Sequence, residues 1–202
     1  MKIERFTFGP FETNTYVVCD KNGNVLLIDP ACFGKREQQE VYECVEKLRT
    51  DNRQPITIIA THGHLDHLWG AKWATEKWGV PVLIDEADIP MAQAMQQQYD
   101  MFGFPAKAES FEIKPLSQSS SFAFQLIHTP GHTQGSVCLY FPEDKVLFSG
   151  DTLFQMGYGR TVLPGGNYSQ LIESLEKLWT LTADVKVYPG HGESTTIGAE
   201  KR

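Results

Sequence analysis

The chain is poor in most of the features that mark a special class of protein. Its 202 residues hold only four cysteines, none in a C-x-x-C pair. Two of them, Cys19 and Cys138, lie in apolar, strand-like runs, where a buried free thiol is expected rather than a disulfide framework. A reduced, cytoplasmic setting follows from that reading. No apolar run approaches the roughly 18 residues of a membrane span. The opening stretch, MKIERFTFGPFETNTY, lacks the apolar core of a signal peptide, so neither a membrane nor secretion is expected. Positive charge is also scarce. Eighteen Lys and Arg face 25 Asp and Glu, for a net charge of -7. Nucleic acid, which demands a basic stripe, is therefore excluded as a partner, and a small-molecule substrate is favoured. No linker or low-complexity tract interrupts the chain; SQSSS at 117–121 reads as a hairpin loop.

What remains is an ordinary globular composition in one domain spanning residues 1–202, with a loosely similar order of elements in its two halves. TYVVCD and NVLLIDPA flank KNGN, a hairpin signal with Asn-Gly at its centre. REQQEVYECVEKLRT reads as a helix, with Val41, Cys44, Val45 and Leu48 at helical spacing. PITIIATH is a short, nearly all-apolar strand suited to burial on both faces. HLWGAKWATEKWG reads as a helix ending at Gly79, and PVLIDEAD as a strand followed by a helix start at Asp88. The segments QLIHTPGHT, SVCLYFPEDKVLFSGDT and VKVYPGHGE add strands, with PEDK turning the middle pair. NYSQLIESLEKLWTL is the last helix, capped by Asn167 or Ser169. Strands alternating with helices predict a layered α/β fold.

Three of the six histidines fall in THGHLDH, residues 61–67. His62 and His64 alternate, so an extended backbone points both side chains the same way. Asp66 and His67 follow as the chain turns. The same grammar recurs three times downstream: an apolar strand, a small or Pro-Gly turn, then a ligand-type side chain. It yields His132 in TPGHT, Asp151 in FSGDT and His191 in YPGHG. Strand ends of an open α/β layer converge on one edge, where sites form. Imidazole and carboxylate donors suit zinc first, with iron and manganese as the other ions of this chemistry. Seven donors exceed the roughly four that one zinc takes, so two divalent ions sharing one carboxylate are expected. His128 lacks this grammar and reads as structural. Asp29, ending LLIDPA, is either an acceptor orienting a ligand histidine or a turn residue.

At these motifs the sequence resembles the metallo-β-lactamase-fold hydrolase superfamily. The resemblance implies a four-layer αβ/βα sandwich with the metals at one edge. It implies His62, His64 and His132 on a first metal, Asp66, His67 and His191 on a second, and Asp151 bridging. Within the superfamily the chain looks like hydroxyacylglutathione hydrolases (glyoxalase II) and their short relatives. Arg160, after GYG, stands where that family binds a glutathione carboxylate. Val162 stands where the family has an aromatic, its tyrosine beyond the last histidine is absent, and only eleven residues follow His191.

The activity implied is hydrolysis of a small thioester or ester by metal-activated water, with Asp66 accepting or orienting its proton. A rival from another class is a persulfide dioxygenase working on a single iron; a lactonase and a non-catalytic metal-binding module are the remaining readings. Trp69, Trp73 and Trp78 read as core packing rather than a substrate wall. Residues 96–109 read as a loop whose Tyr99, Met101, Phe102 and Phe104 pack beneath it, line a pocket, or meet a second copy in a homodimer. Gly157–Gly159 reads as a flexible stretch that lets Arg160 reach the metal edge.

Overall fold

Side-chain alternation along the strands decides the layering. The computed structural model describes residues 1–49, 56–116 and 122–201. One sheet runs in chain order: β1 (Lys2–Phe8), β2 (Thr13–Cys19), β3 (Val25–Ile28), β4 (Ile56–Ile59), β5 (Val82–Ile84) and β6 (Ile113–Pro115). The pairs among β1 to β3 are antiparallel and those from β3 to β6 are parallel. The second sheet contains β7 (Gln125–His128), β8 (Val137–Phe141), β9 (Val146–Gly150), β12 (Lys186–Pro189) and β13 (Thr195–Thr196), in the order β13-β12-β9-β8-β7. Between β9 and β12 the chain forms a small antiparallel ribbon, β10 (Leu153–Phe154) with β11 (Gly157–Tyr158).

Period-2 patterning sends alternate residues to opposite faces. Tyr16, Val18, Leu26, Ile28 and Ile59 of the first sheet meet Leu139, Phe141, Val146 and Phe148 of the second in one buried cluster between the sheets. Val17, Leu27 and Ile58 face the other way, onto the helices α1 (Lys35–Leu48) and α2 (Ala71–Trp78). Cys138, Leu147 and Val187 face α5 (Tyr168–Leu178) and α6 (Ile197–Glu200). Helix, sheet, sheet and helix are the four layers that the family resemblance implies. No helix among the described residues is long and apolar enough to cross a membrane.

The local signals behave as their chemistry requires. In the β2–β3 hairpin the Asp20 carboxylate accepts the main-chain N–H groups of Asn22 and Asn24. Helix α2 ends at Gly79 in the left-handed region (φ 67°). Asn167, not Ser169, caps α5 by accepting the Gln170 N–H. Asp88 precedes α3 (Ile89–Gln93) as expected.

Two readings are corrected. Residues 96–109 are not all loop, because α4 (Met95–Met101) occupies the start. The glutamine run hides this helix: Gln98 is buried because main-chain groups satisfy its amide, not because it is apolar. The stretch read as flexible is a paired strand, since Gly157 and Tyr158 form β11 against β10. The hairpin reading of 117–121 lies outside the described residues. All four cysteines are free thiols.

The sheets are stitched together at one edge. The Val137 N–H donates to the Thr61 carbonyl at 2.9 Å, and the Asn14 N–H to the Gly190 carbonyl at 2.7 Å. The Tyr16 hydroxyl donates to the Pro189 carbonyl at 2.6 Å. Deeper in, Phe148 is 1% exposed and rings with Tyr16, Phe141 and Tyr188 at 5.1–5.9 Å. Phe148→Ala should therefore cost about 3–5 kcal/mol in urea unfolding. Val162→Ala, at a side chain 87% exposed, should stay within about 0.5 kcal/mol.

Candidate metal centre

Each of the seven predicted donors follows a strand end on the stitched edge. His62 and His64 follow β4, and Asp66 and His67 lie in or beside a short 3-10 turn, Leu65–His67. His132 follows β7, Asp151 follows β9 and His191 follows β12. The glycines of the two Pro-Gly-His turns are dictated by close approach. A Cβ at Gly131 would lie 2.3 Å from the main-chain nitrogen of Leu171, and one at Gly190 would lie 2.2 Å from Oδ1 of Asp151.

The structure brings all seven together. His62 Nε2 lies 3.1 Å from His64 Nδ1, and His132 Nε2 lies 2.9 Å from the same atom. His191 Nε2 is 3.3 Å from Asp66 Oδ2 and 3.5 Å from Asp151 Oδ2. His67 Nε2 is 3.5 Å from Asp66 Oδ2 and 3.4 Å from Asp151 Oδ1. His132 Nε2 is 3.4 Å from Asp151 Oδ2. Donors held about 2.0–2.2 Å from a tetrahedral ion lie roughly 3.3–3.6 Å apart, so the spacings that involve the carboxylates suit coordination and the His62–His64–His132 set is a few tenths of an ångström tighter. Three groups are compact enough to hold an ion: His62, His64 and His132; Asp66, His67 and His191; and His62, His67 and Asp151. A further sign is that His67 Nε2 and Asp151 Oδ1 are buried with no hydrogen-bond partner. Buried polar atoms left unpaired are costly, and a cation between them would remove that cost.

Four of the five rings are oriented from behind. His67 Nδ1 donates to Asp29 Oδ2 at 2.9 Å, His132 Nδ1 to the Arg160 carbonyl at 2.7 Å, and His191 Nδ1 to the Phe11 carbonyl at 3.0 Å. His62 Nδ1 lies 3.2 Å from the Thr61 hydroxyl. Each contact orients its ring so that Nε2 faces the cluster. Asp29 is thus an acceptor holding a site histidine, one of the two readings its sequence left open. His128 stands apart, exposed, with Nδ1 3.1 Å from Asp85.

Sequence reasoning missed several contributors. Thr13 donates its hydroxyl to Asp66 Oδ2 at 2.7 Å. Asp88, read only as a helix start, clamps both histidine loops: it accepts the Gly63 N–H at 2.8 Å, the Gly135 N–H at 2.7 Å and the Thr133 hydroxyl at 2.6 Å. Both are common residue types acting across long stretches of chain, so no local signal marks them.

The cluster opens into a cavity of about 250 Å³ walled by Phe11, Leu65, Phe102, Phe154 and Leu163. Arg160 is its one cationic wall residue besides the histidines. Trp73 and Trp78 pack against each other and the core, while Trp69 stacks behind Phe11 at 5.4 Å, so none of the three lines the cavity. The aromatic segment divides: Phe102 lines the cavity, while Tyr99 and Phe104 pack on the core.

Electrostatics split the cluster. Burial lowers the pKa of His62 far below the usual imidazole range, that of His64 to about 3, and that of His132 as well, so these rings are neutral at pH 7. Burial also disfavours charge on His67 and His191, but neighbouring carboxylates outweigh it. His67 is raised well above its ordinary value by Asp66, Asp29 and Asp151, and His191 to about 9 by Asp151 and Asp66. Burial alone would raise both carboxyls; the same cations hold Asp66 down to about 2 and Asp151 well below its ordinary value.

The comparisons with known proteins agree with this geometry. Residues 8–191 match the family model described as the metallo-beta-lactamase superfamily. Hydroxyacylglutathione hydrolase GloC of Haemophilus influenzae is 34% identical over 210 residues, covering 100% of this chain and 96% of that protein. A crystal structure of TTHA1623 in a di-iron-bound form is 32% identical with a TM-score of 0.86, covering 98% of this chain and 97% of that one. ETHE1 from Myxococcus xanthus is 26% identical with a TM-score of 0.74, covering 100% of this chain and 82% of that one.

A pH dependence follows from the split. An ion at His62, His64 and His132 meets neutral rings, whereas one at Asp66, His67 and His191 must expel protons from raised-pKa groups. That competition is in force below about pH 9, the value for His191, and fades as pH rises through it. At pH 7 the first metal equivalent should release almost no protons and the second about two. Affinity for the second ion should climb steeply between pH 6 and about 9. Calorimetry in buffers of different ionisation enthalpy measures both; equal proton release for the two ions would refute the division.

Proposed function

This chain belongs to the metallo-beta-lactamase superfamily, and from that premise we propose that it is a metal-dependent hydrolase of small thioesters or esters, similar to glyoxalase II. The observation that carries the reading is the convergence of seven donors, two of them with a buried, unpartnered atom, beside a cavity that five of them line together with Arg160 and apolar side chains. In this reading His62, His64 and His132 would hold one ion, Asp66, His67 and His191 the other, and Asp151 would be shared. Zinc is the first candidate, and the di-iron form of TTHA1623 brings iron next. Bound there, divalent ions supply a nucleophile from water at neutral pH and polarise a substrate carbonyl.

The chain's own residues supply the rest. Asp66 is fully ionised at neutral pH and is held by Thr13, so it accepts a hydrogen bond from the attacking water and orients it. Phe11, Leu65 and Phe154 exclude bulk water around the reacting carbonyl, which strengthens every charge interaction there. A thiolate leaves without a strong general acid. Arg160 is anchored through its carbonyl, which accepts from His132, while its side chain lines the cavity and pairs an anionic part of the substrate. Four free thiols suit a reducing, cytoplasmic setting.

The likeness to ETHE1 keeps a one-iron dioxygenase as the second reading. Elemental analysis of saturated protein, with thioester turnover and oxygen uptake, separates the two. About two ions per chain with thioester cleavage is expected; one iron with oxygen uptake on a persulfide would replace the hydrolase reading. Arg160→Ala leaves the carbonyl that holds His132 in place. It should lower kcat/KM for glutathione thioesters roughly 10- to 100-fold, mostly through KM, because a remote ion pair is alike in ground and transition states. A neutral ester should be nearly unaffected. Equal losses on both substrates would make Arg160 a structural residue.

A further inference from the structure

The cavity has a side chamber. A recess of about 40 Å³ opens beside it, sharing His64, Phe102 and Leu163 as common walls. Its remaining walls are Met91, Met101, Pro164 and Gln98, with no charged side chain among them. Gln98 offers little polarity. Its Nε2 donates to the carbonyls of Gly63 and Met91 at 3.0 Å each, and its Oε1 accepts the Leu65 N–H at 2.9 Å. His64 turns its Nδ1 to His62 and His132.

One wall of the recess is pinned. The Leu163–Gly166 turn closes through the Gly166 N–H to the Leu163 carbonyl at 2.9 Å. Gln134 Nε2 holds it by donating to the Gly165 carbonyl at 2.7 Å, and the Asn167 N–H donates to the Gly131 carbonyl at 2.8 Å, tying the turn to the loop of His132. The opposite wall is adaptable, because methionine is unbranched and fills irregular gaps. Met101 is 56% exposed and Phe102 38% exposed at the rim. Apolar surface left open beside a polar centre is stabilised when a ligand covers it.

We infer that this recess seats a short alkyl substituent of the substrate's acyl group, so that the preferred substrate joins a small apolar acyl chain to an anionic carrier held by Arg160. The inference rests on the hydrolase reading above and adds the acyl class to it. Size sets the limit. A volume of about 40 Å³ is little more than one water's share of the liquid, roughly 30 Å³. The recess therefore admits one or two carbons before the methionines must move.

The test uses metal-loaded protein and thioesters of one thiol bearing acetyl, propionyl, butyryl and hexanoyl groups. kcat/KM should rise about fourfold for the methylene added from acetyl to propionyl, peak at propionyl, and fall at least tenfold at hexanoyl. Met91→Ala and Met101→Ala should each move the maximum to a longer chain; the exposed position of Met101 makes that variant safe for folding. Acetate, propionate, butyrate and hexanoate titrated calorimetrically into the loaded protein give a readout free of turnover, and their affinities should follow the same order and shift the same way. Thioesters left intact while the acids keep this order would sink the hydrolase reading and leave the recess standing. A flat chain-length profile, or variants that weaken every chain length by one factor, would overturn the recess.

Discussion

The carboxylate of Asp29 is the contact on which the working edge depends. It is 1% exposed and sits in the left-handed region at φ 52°, a conformation uncommon outside glycine and one in which Asp and Asn are enriched. Its Oδ1 accepts the Thr61 N–H at 2.7 Å, and its Oδ2 accepts the Thr61 hydroxyl at 2.8 Å and His67 Nδ1 at 2.9 Å. A buried charge is tolerable only when its oxygens are paired in this way. The pairing joins the end of β3 to the histidine loop after β4. Thr61 carries the connection on, since its carbonyl receives Val137 from the second sheet and its hydroxyl lies against His62. One carboxylate thus couples backbone strain, ring orientation and the join between the sheets.

Around that anchor the cluster has two characters. The His62, His64 and His132 side is desolvated and neutral, a set of lone pairs already arranged. The Asp66, His67 and His191 side is ionic, with cations and carboxylates compensating one another. The difference arises from where the carboxylates fall, because Asp66, Asp151 and Asp29 all lie on His67. Residues of one type, five positions apart in sequence, are thereby given opposite protonation.

The sequence made the donors legible for a chemical reason. Metal-binding side chains are few in kind, and their placement after apolar strands is a local pattern. The layered α/β class was legible because strands such as β3 and β4 are unbroken apolar runs bounded by turn residues; the count of four layers came from the family resemblance. What escaped has a common cause. Thr13 and Asp88 act on Asp66 and on two loops through hydrogen bonds spanning 25 to 53 residues. Strands β6 and β11 are three and two residues long, defined by pairing rather than composition. Gln98 looks like a solvent-facing residue in sequence and is buried only because main-chain partners satisfy its amide. Fold class and donor identity reside in local pattern, whereas support and pocket shape reside in long-range pairing.

The uneven burial of the donors also bears on exchange kinetics. The His191 side chain is 28% exposed, while those of Asp66, Asp151, His67 and His132 lie between 0% and 11%, and His62 and His64 are 1% and 8% exposed as whole residues. Four of the rings are already fixed by acceptors behind them, so capture of an ion requires little side-chain searching. Traffic is then governed by the doorway at His191. An ion held on that side leaves through a well-exposed ligand, while one among His62, His64 and His132 reaches solvent only through the narrower openings that His64 and His132 offer to the cavity. Two ions of similar affinity would therefore differ widely in residence time.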